Sequence, residues 1–335
     1  MNLRTLVRKV KPIARRDELI TDLRAKLAKA HTEARRREQE LIKLRQQDHG
    51  RPSFYYKHRE ALRAKKLAAR YGRRHPIWAV NGKLAGYEFA RTHGIPVPRI
   101  YGQHADPGEI DWQALPDEFV IKTLHGASGA GVLPLIREDG HYQDLLGHNS
   151  VLTGDEIVAL LRTRIDEGRA SASLLIEELL HSPYADDRIV PLDVKIYSFY
   201  GTVGMIMVRD ANGSRDHHEV RARYFDPSGE DLRDVMSHVG IDPSLPGPLH
   251  LHELVDAAER LSAALPVPFV RLDFYEKNDG IIFGEITPSP GGSQLPRADM
   301  DRKLGELWED AEARIRTQHI EAGVLDLRHG ALEPN

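Results

Sequence analysis

Residues 269–292 read FVRLDFYEKNDGIIFGEITPSPGG: two apolar runs with polar residues set into them and an Asp279-Gly280 step between. Runs rich in β-branched and aromatic residues on either side of Asp-Gly predict a β-hairpin, with strands over 269–275 and 280–286. Such a hairpin brings Asp273 and Glu285, each flanked by apolar residues, onto neighbouring strands. Burying a carboxylate without a partner is costly, so two converging in a β core predict a divalent cation, Arg271, or both as compensation. Oxygen ligands without His or Cys favour Mg2+ or Mn2+ over zinc. A simple ion pair between Arg271 and one of the acids is the plainer alternative.

Working outward, residues 119–132 read FVIKTLHGASGAGV, a β-rich run that delivers Lys122 and passes at once into a loop with three glycines and a serine. Backbone amides freed of Cβ atoms can close around phosphate oxygens, and a lysine on the adjoining strand adds a point charge. The lysine precedes the glycines, so this is not the G-x-x-x-x-G-K-[ST] phosphate loop. An ordinary turn remains the alternative. Between the two constellations lie LLIEELL (174–180), where Glu177 and Glu178 end an apolar strand, and PLDVKIYSFYG (191–201), which sets Asp193 and Lys195 on another.

Elsewhere after Pro76, short apolar runs alternate with helix-like stretches, the pattern of an α/β or α+β architecture. Helices are expected over 82–93, 153–167, 251–265 and 302–321. Strands are expected over 118–123, 173–178, 193–200 and 202–209, the last two forming a hairpin about Gly201.

The first 75 residues differ in kind. They hold 23 Lys and Arg against 8 Asp and Glu, a net +15, whereas residues 76–335 hold 24 against 42, a net −18. From Pro12 to Gly50 there is neither glycine nor proline, and Ile20, Leu23, Leu27, Ala30, Ala34, Arg37, Leu41 and Leu44 recur at steps of three and four. That is a coiled-coil seam with one charged intruder, expected over 16–47. A solvated arm packing its stripe on its own globular domain is equally compatible. Gly50, Pro52 and the aromatic run Phe54, Tyr55, Tyr56 read as a break, followed by the basic stretch Arg59 to Arg74. Lys and Arg beside aromatics are compatible with nucleic acid, an anionic membrane surface or an acidic polysaccharide, although no nucleic-acid-binding signature accompanies them, and a solvated helical face balancing the chain's own acidic domain is the plainer alternative. The chain has no cysteine, which excludes disulfides and a thiolate nucleophile. No apolar run reaches a membrane span and no signal core is present, so a cytoplasmic location is expected, with the inner membrane face as a peripheral site.

Taken in order, the strand lysine, glycine loop, strand ending in Glu-Glu, Asp-x-Lys strand and late Arg-x-Asp…Glu hairpin resemble the ATP-grasp enzymes. The resemblance is closest to the TupA-like branch associated with teichuronopeptide synthesis. It rests on FVIKTLHGASG, LLIEELL, PLDVK, FVRLDFYEKNDGIIFGEITPSPGG, the later DRKLGELW and the design of IYGQHADPGEIDWQALPDEF, and spans residues 100 to about 307. It implies an α+β ATP-grasp fold. A basic arm (1–75) would precede a small α/β lobe (76–115), a nucleotide-clasping lobe (116–180) and a lobe carrying the metal acids (181–330), with ATP between the last two.

The roles implied by the resemblance follow position by position. Lys122 holds phosphates, and the loop with His125, Gly126, Ser128, Gly129 and Gly131 closes over the phosphate chain. Glu177, Glu178 and Leu179 form the hinge against adenine, and Asp193 and Lys195 divide the ribose and phosphates between them. Asp273 and Glu285 bind Mg2+ or Mn2+, while Arg271, and less centrally Arg209, stabilises the transferring phosphoryl group. ATP-grasp enzymes commonly have Asn two residues after the second acid. Here, as in the TupA-like branch, that position is Thr287, whose hydroxyl can ligate the metal directly or through water.

The implied reaction joins a carboxylate to an amine through an acyl phosphate. A uronic acid, amino acid or peptide of cell-envelope polysaccharide or natural-product synthesis would be the substrate, with a polymer, carrier or peptide held by the arm and dimerisation through it. A small-molecule kinase using the same nucleotide site, and a coiled-coil scaffold with a silent nucleotide-binding domain, are the competing readings.

Overall fold

The computed structural model describes residues 23–29, 31–33, 35–37, 39–40, 51–73, 75–80, 82–124, 131–146, 150–184, 191–210, 221–236, 240–291 and 294–323. The chain divides into two compact units, Met1–Arg51 and Pro52–Asn335. In the first, every described residue from 23 to 40 is helical, and the seam residues Leu23 and Leu27 are each more than half exposed.

The second unit is built on two six-stranded sheets. The first has the order β1-β6-β2-β3-β4-β5, from β1 (Ile100–His104), β2 (Glu118–Thr123), β3 (Val132–Glu138), β4 (His141–Asp144), β5 (Ser150–Leu152) and β6 (Leu174–Glu177). All its pairings are antiparallel. The period of two along β2 sends Phe119 and Ile121 to one face, where they join Leu133, Leu135, Leu174 and Ile176 in a core closed by Ile157 and Leu161. Those last two belong to a helix, Gly154–Asp166, started by a reciprocal capping box between Thr153 and Glu156. Lys122 therefore points to the opposite face. β1, which the sequence placed in a separate small lobe, is instead an edge of this sheet.

The second sheet has the order β10-β9-β8-β7-β11-β12, from β7 (Asp193–Ser198), β8 (Val203–Asp210), β9 (Arg221–Phe225), β10 (Gly240–Ile241), β11 (Val270–Lys277) and β12 (Gly280–Thr287). Both expected hairpins, β7–β8 and β11–β12, are present. One face buries Val194, Ile196, Ile206, Val208, Leu272 and Phe274 against Leu254, Ala257, Ala258 and Leu261 of the helix Leu251–Ala263. The helix Lys83–Thr92 joins that core through Tyr87 and Ala90.

The other face is shared. Part of it, with Tyr197, Phe199, Met205 and Phe269, is covered by Leu304 and Trp308 of the helix Ala298–Glu321 and by Phe54. The remainder carries charge.

Phe54 marks a difference from the sequence reading. The aromatic run taken as a break opens a helix, which we label α1 (Phe54–Arg70), capped by Ser53. Phe54 is fully buried, with its ring 5.0 Å from that of Phe269 and 5.8 Å from that of Trp308. Ser53 Oγ donates to Asp301 Oδ2 at 2.7 Å, and the Tyr55 amide to Asp301 Oδ1 at 2.9 Å. Gly305 makes this docking possible, because a Cβ there would run into the Pro52–Ser53 backbone. Residues 54–70 thus belong to the second unit and not to an arm that ends at 75.

Candidate active site

Strand register assembles the charged face. Lys195, Asp273 and Glu285 are Cα partners across β7, β11 and β12, and so are Tyr197, Arg271 and Thr287; Arg209 on β8 lies opposite Asp193. Side chains paired in this way share a face.

Asp273 is the hub. Arg271 Nε donates to its Oδ1 at 2.6 Å and Arg271 Nη2 to its Oδ2 at 2.7 Å, while Lys195 Nζ donates to Oδ2 at 2.7 Å. Burial alone would push the carboxyl pKa up, but Lys195 and Arg271 outweigh it and hold Asp273 at about 2. Burial opposes the Arg271 charge too, and Asp273 more than compensates, so its pKa is raised. Arg271 also donates to Thr287 Oγ1 at 3.0 Å, and that hydroxyl donates to Glu285 Oε1 at 3.2 Å. Lys195 reaches Asp193 at 3.2 Å, and Arg209 lies 3.8 Å from the same carboxylate.

Lys122 lies on the opposing face of the first sheet. Its neighbours there are set by the register Lys122↔Leu175 and Val120↔Glu177, which puts Glu177 diagonally beside it. Lys122 and Glu177 form a close ion pair, and the Lys122 ammonium lies 5.7 Å from the ring centroid of Tyr275 on β11. Burial disfavours the ammonium, but Glu177 and Tyr275 offset that and raise its pKa. Burial raises the pKa of the Tyr275 phenol, with Lys122 opposing. The two sheets therefore meet, through Lys122 and Tyr275, at one charged seam.

Two residues that the sequence reading missed complete it. Tyr87 donates from its hydroxyl to Glu177 Oε2 at 2.8 Å. Lys83, one turn earlier, has its pKa lowered by burial, with Glu285 opposing and Lys122 adding to the effect. Their signal in the sequence was a lysine and a tyrosine at i and i+4, on the same helical face as Ala90.

The remaining expected residues are placed as follows. Glu177 turns its carboxylate inward to Lys122 and Tyr87. Glu178 turns to Lys277 at 3.6 Å and accepts from the Arg99 amide at 3.2 Å, and Leu179 is buried. His125, Gly126, Ser128 and Gly129 lie outside the described residues. Gly131, the residue before β3, has a specific reason to be glycine: a Cβ there would run into the side chain of Thr123.

The donor set suits a hard cation, with Asp273, Glu285 and the Thr287 hydroxyl supplying oxygen only. Among the described residues no three His, Cys, Asp or Glu side chains gather into a metal-binding group. Two carboxylates and a hydroxyl fit Mg2+ or Mn2+ completed by water and phosphate oxygens better than a cage made by protein alone.

A family model described as TupA-like ATPgrasp matches residues 60–309, so the match begins well ahead of residue 100. No curated protein matches the sequence. Among solved structures, the ATP-grasp ligase PsnB complexed with minimal precursor is similar at 16% identity and a TM-score of 0.40, over 71% of this chain and 61% of that one. D-alanine–D-alanine ligase from Bacillus anthracis gives 16%, 0.44, 71% and 69%. A RiPP-associated ATP-grasp ligase of Chryseobacterium gregarium, in complex with ADP and a leader and core peptide, gives 12%, 0.42, 75% and 69%.

Proposed function

The chain belongs to the TupA-like ATP-grasp family, and from that premise we propose that it is an ATP-dependent carboxylate–amine ligase. The observation that carries this reading is the seam itself. Lys122 from one sheet and Lys195 and Arg271 from the other converge with Asp273 and Glu285, which is the charge distribution that a triphosphate and a transferring phosphoryl group require.

In this reading a substrate carboxylate oxygen attacks the γ-phosphorus, and the bond to the ADP oxygen breaks. An amine nitrogen then attacks the acyl carbon, phosphate leaves, and the nitrogen gives up a proton as the amide forms. Lys122 and Lys195 bind phosphate oxygens, and Arg271, fixed by Asp273 and Thr287, is aimed at the phosphoryl oxygens that gain charge. Arg209 supports the same region from β8. Glu178, at the end of β6, borders the adenine. Asp273, Glu285 and Thr287 would hold Mg2+ or Mn2+. The ion would supply charge neutralisation along the phosphate chain.

The substrates we assign are a uronic acid, an amino acid or a peptide of cell-envelope polysaccharide or natural-product synthesis. The basic N-terminal region is the part that would engage an acidic polymer, a carrier or an anionic membrane from the cytoplasmic side. Phosphate release from ATP and Mg2+, screened over pooled uronic acids, amino acids and peptides with mass spectrometry of each active pool, tests the reading. A product equal to carboxylate plus amine less water supports it. A stable phosphorylated product, or a normal rate in Arg271→Met, overturns it.

A further inference from the structure

Helix α1 presents two unlike sides. Phe54, Tyr55 and His58 are buried, and Lys57 pairs with Glu312 at 2.9 Å, so one side is clamped to the helix Ala298–Glu321. On the other side Arg59, Arg63, Lys66 and Arg70 recur at steps of four, three and four, which places them in one stripe along the helix. All four are exposed, and Arg73 beyond the helix end is exposed as well. Beside this stripe Leu67 is 41% exposed, and Tyr71, one turn on, is 69% exposed. Glu60 is the one exposed acid of the helix.

Single exposed apolar side chains are ordinary on a protein surface; what sets these two apart is their alignment, Leu67 and Tyr71 lying one turn apart along the edge of the cationic row. A row of Lys and Arg with a leucine and an aromatic residue at its edge matches a surface that is anionic above and apolar just beneath: cations meet the headgroups while Leu67 and Tyr71 enter the interfacial layer. An acidic polysaccharide would satisfy the charges, and its rings could stack on Tyr71, but it would offer nothing apolar to Leu67. No helix among the described residues is long and apolar enough to cross a membrane, so contact of this kind would be peripheral.

We propose that the exposed face of α1, from Arg59 to Tyr71, is a docking surface for an anionic lipid bilayer. Because α1 is clamped to the second unit through Phe54, Ser53 and Lys57, this surface fixes that whole unit at the membrane. The proposal deepens the membrane alternative given above but is independent of the ligase chemistry, since it is measured without turnover.

The test is sedimentation of the full-length protein with phosphatidylcholine vesicles and with vesicles containing phosphatidylglycerol. Binding is expected only to the anionic vesicles, and it should weaken as salt rises. Each cation near the surface is worth a factor of about five, so Arg63→Gln combined with Arg70→Gln lowers partitioning by about 25-fold, with thermal unfolding unchanged. In a Tyr71→Trp variant, brominated acyl chains quench the added fluorescence. Partitioning that ignores the double substitution, or an absence of quenching in bound protein, overturns the proposal. So does binding to polygalacturonate with none to anionic vesicles, which would make the partner an acidic polymer.

Discussion

Replacing Asp273 by Asn removes the only charge on the group that holds Arg271 and Lys195, and leaves its shape almost unchanged. The carboxyl sits at about 2 against an ordinary 3.8, a difference equivalent to about 2 kcal/mol in favour of the charged, folded form. That is the net of burial against pairing. The substitution also takes from two buried cations their nearest carboxylate, although Lys195 keeps Asp193 at 3.2 Å, and breaking a buried pair from one side costs roughly 3–5 kcal/mol. The expected loss at pH 7, read from urea unfolding with an unchanged m-value, is therefore about 2–5 kcal/mol. The pH dependence has a definite sign. Between 3.8 and about 2 the unfolded chain binds the Asp273 proton and the folded chain does not, so this contribution is complete above the unfolded value and is lost as pH falls through the folded one. The gap between wild type and Asp273→Asn should be constant at neutral pH and narrow below pH 4 or so. A loss under about 1 kcal/mol at pH 7, or a gap that does not narrow in acid, would refute the hub.

The other expectations follow from single contacts. His58 is buried with Nε2 unpaired, and burial, assisted by Arg59, lowers its pKa from 6.5 to about 4; the unfolded chain takes up that proton first, so wild type loses up to about 3 kcal/mol of stability between those values on acidification, a slope that His58→Phe should abolish in acid titrations of unfolding. Gly131→Ala should destabilise by about 1–3 kcal/mol through overlap with the whole Thr123 side chain, Cβ included, and Thr123→Gly, which removes that Cβ, should recover part of the loss in a double-mutant cycle; additive losses would contradict the clash. Phe54→Ala should cost about 3–5 kcal/mol by emptying the aromatic cluster under α1, measured by chemical denaturation. Asp273 already accepts three N–H groups whereas Glu285 accepts one hydroxyl among the described residues; with about four lone-pair sites per carboxylate, Glu285→Gln should weaken Mn2+ binding in paramagnetic resonance titrations at least as much as Asp273→Asn, and a selective effect of Asp273→Asn alone would reverse that ranking.

What the sequence revealed and what it hid divide along a physical line. Hairpins about Gly201 and Asp279-Gly280 were legible because the turn chemistry is local. The strand Val132–Glu138 was not, since Pro134 argues against a strand that is paired on both sides. Arg221–Phe225 escaped because its arginines make it look like surface, although Arg221 pairs with Asp210 and Asp242 and Arg223 with Asp231. The ordered motifs pointed to Lys122, Lys195, Arg271, Asp273 and Glu285 one at a time. Their partners are tertiary. Nothing within LLIEELL says that Glu177 rather than Glu178 turns inward; the register of β6 against β2 decides it. The aromatic run 54–56 misled because its burial depends on Trp308 and Phe269, more than 200 residues away.

The pairing of Lys122, Lys195 and Arg271 bears on how such a seam can work. A free lysine carries side-chain entropy of up to about 2 kcal/mol that binding must remove. Here that ordering is done by the fold: Tyr87 fixes Glu177, which fixes Lys122, and Thr287 and Asp273 fix Arg271. Cations held in this way would meet a phosphate chain without reorganising, the condition under which electrostatic stabilisation is strongest. The same pairing sets a limit. Lys83, Lys122, Lys195, Arg209 and Arg271 face Glu177, Asp193, Asp273 and Glu285, five positive charges against four negative. So slight an excess cannot neutralise a bare triphosphate. On the proposed reading the carboxylates that order the cations would thus create the need for a divalent ion, and Glu285, the acid at the seam with the most unused oxygen among the described residues, is where that ion would be held.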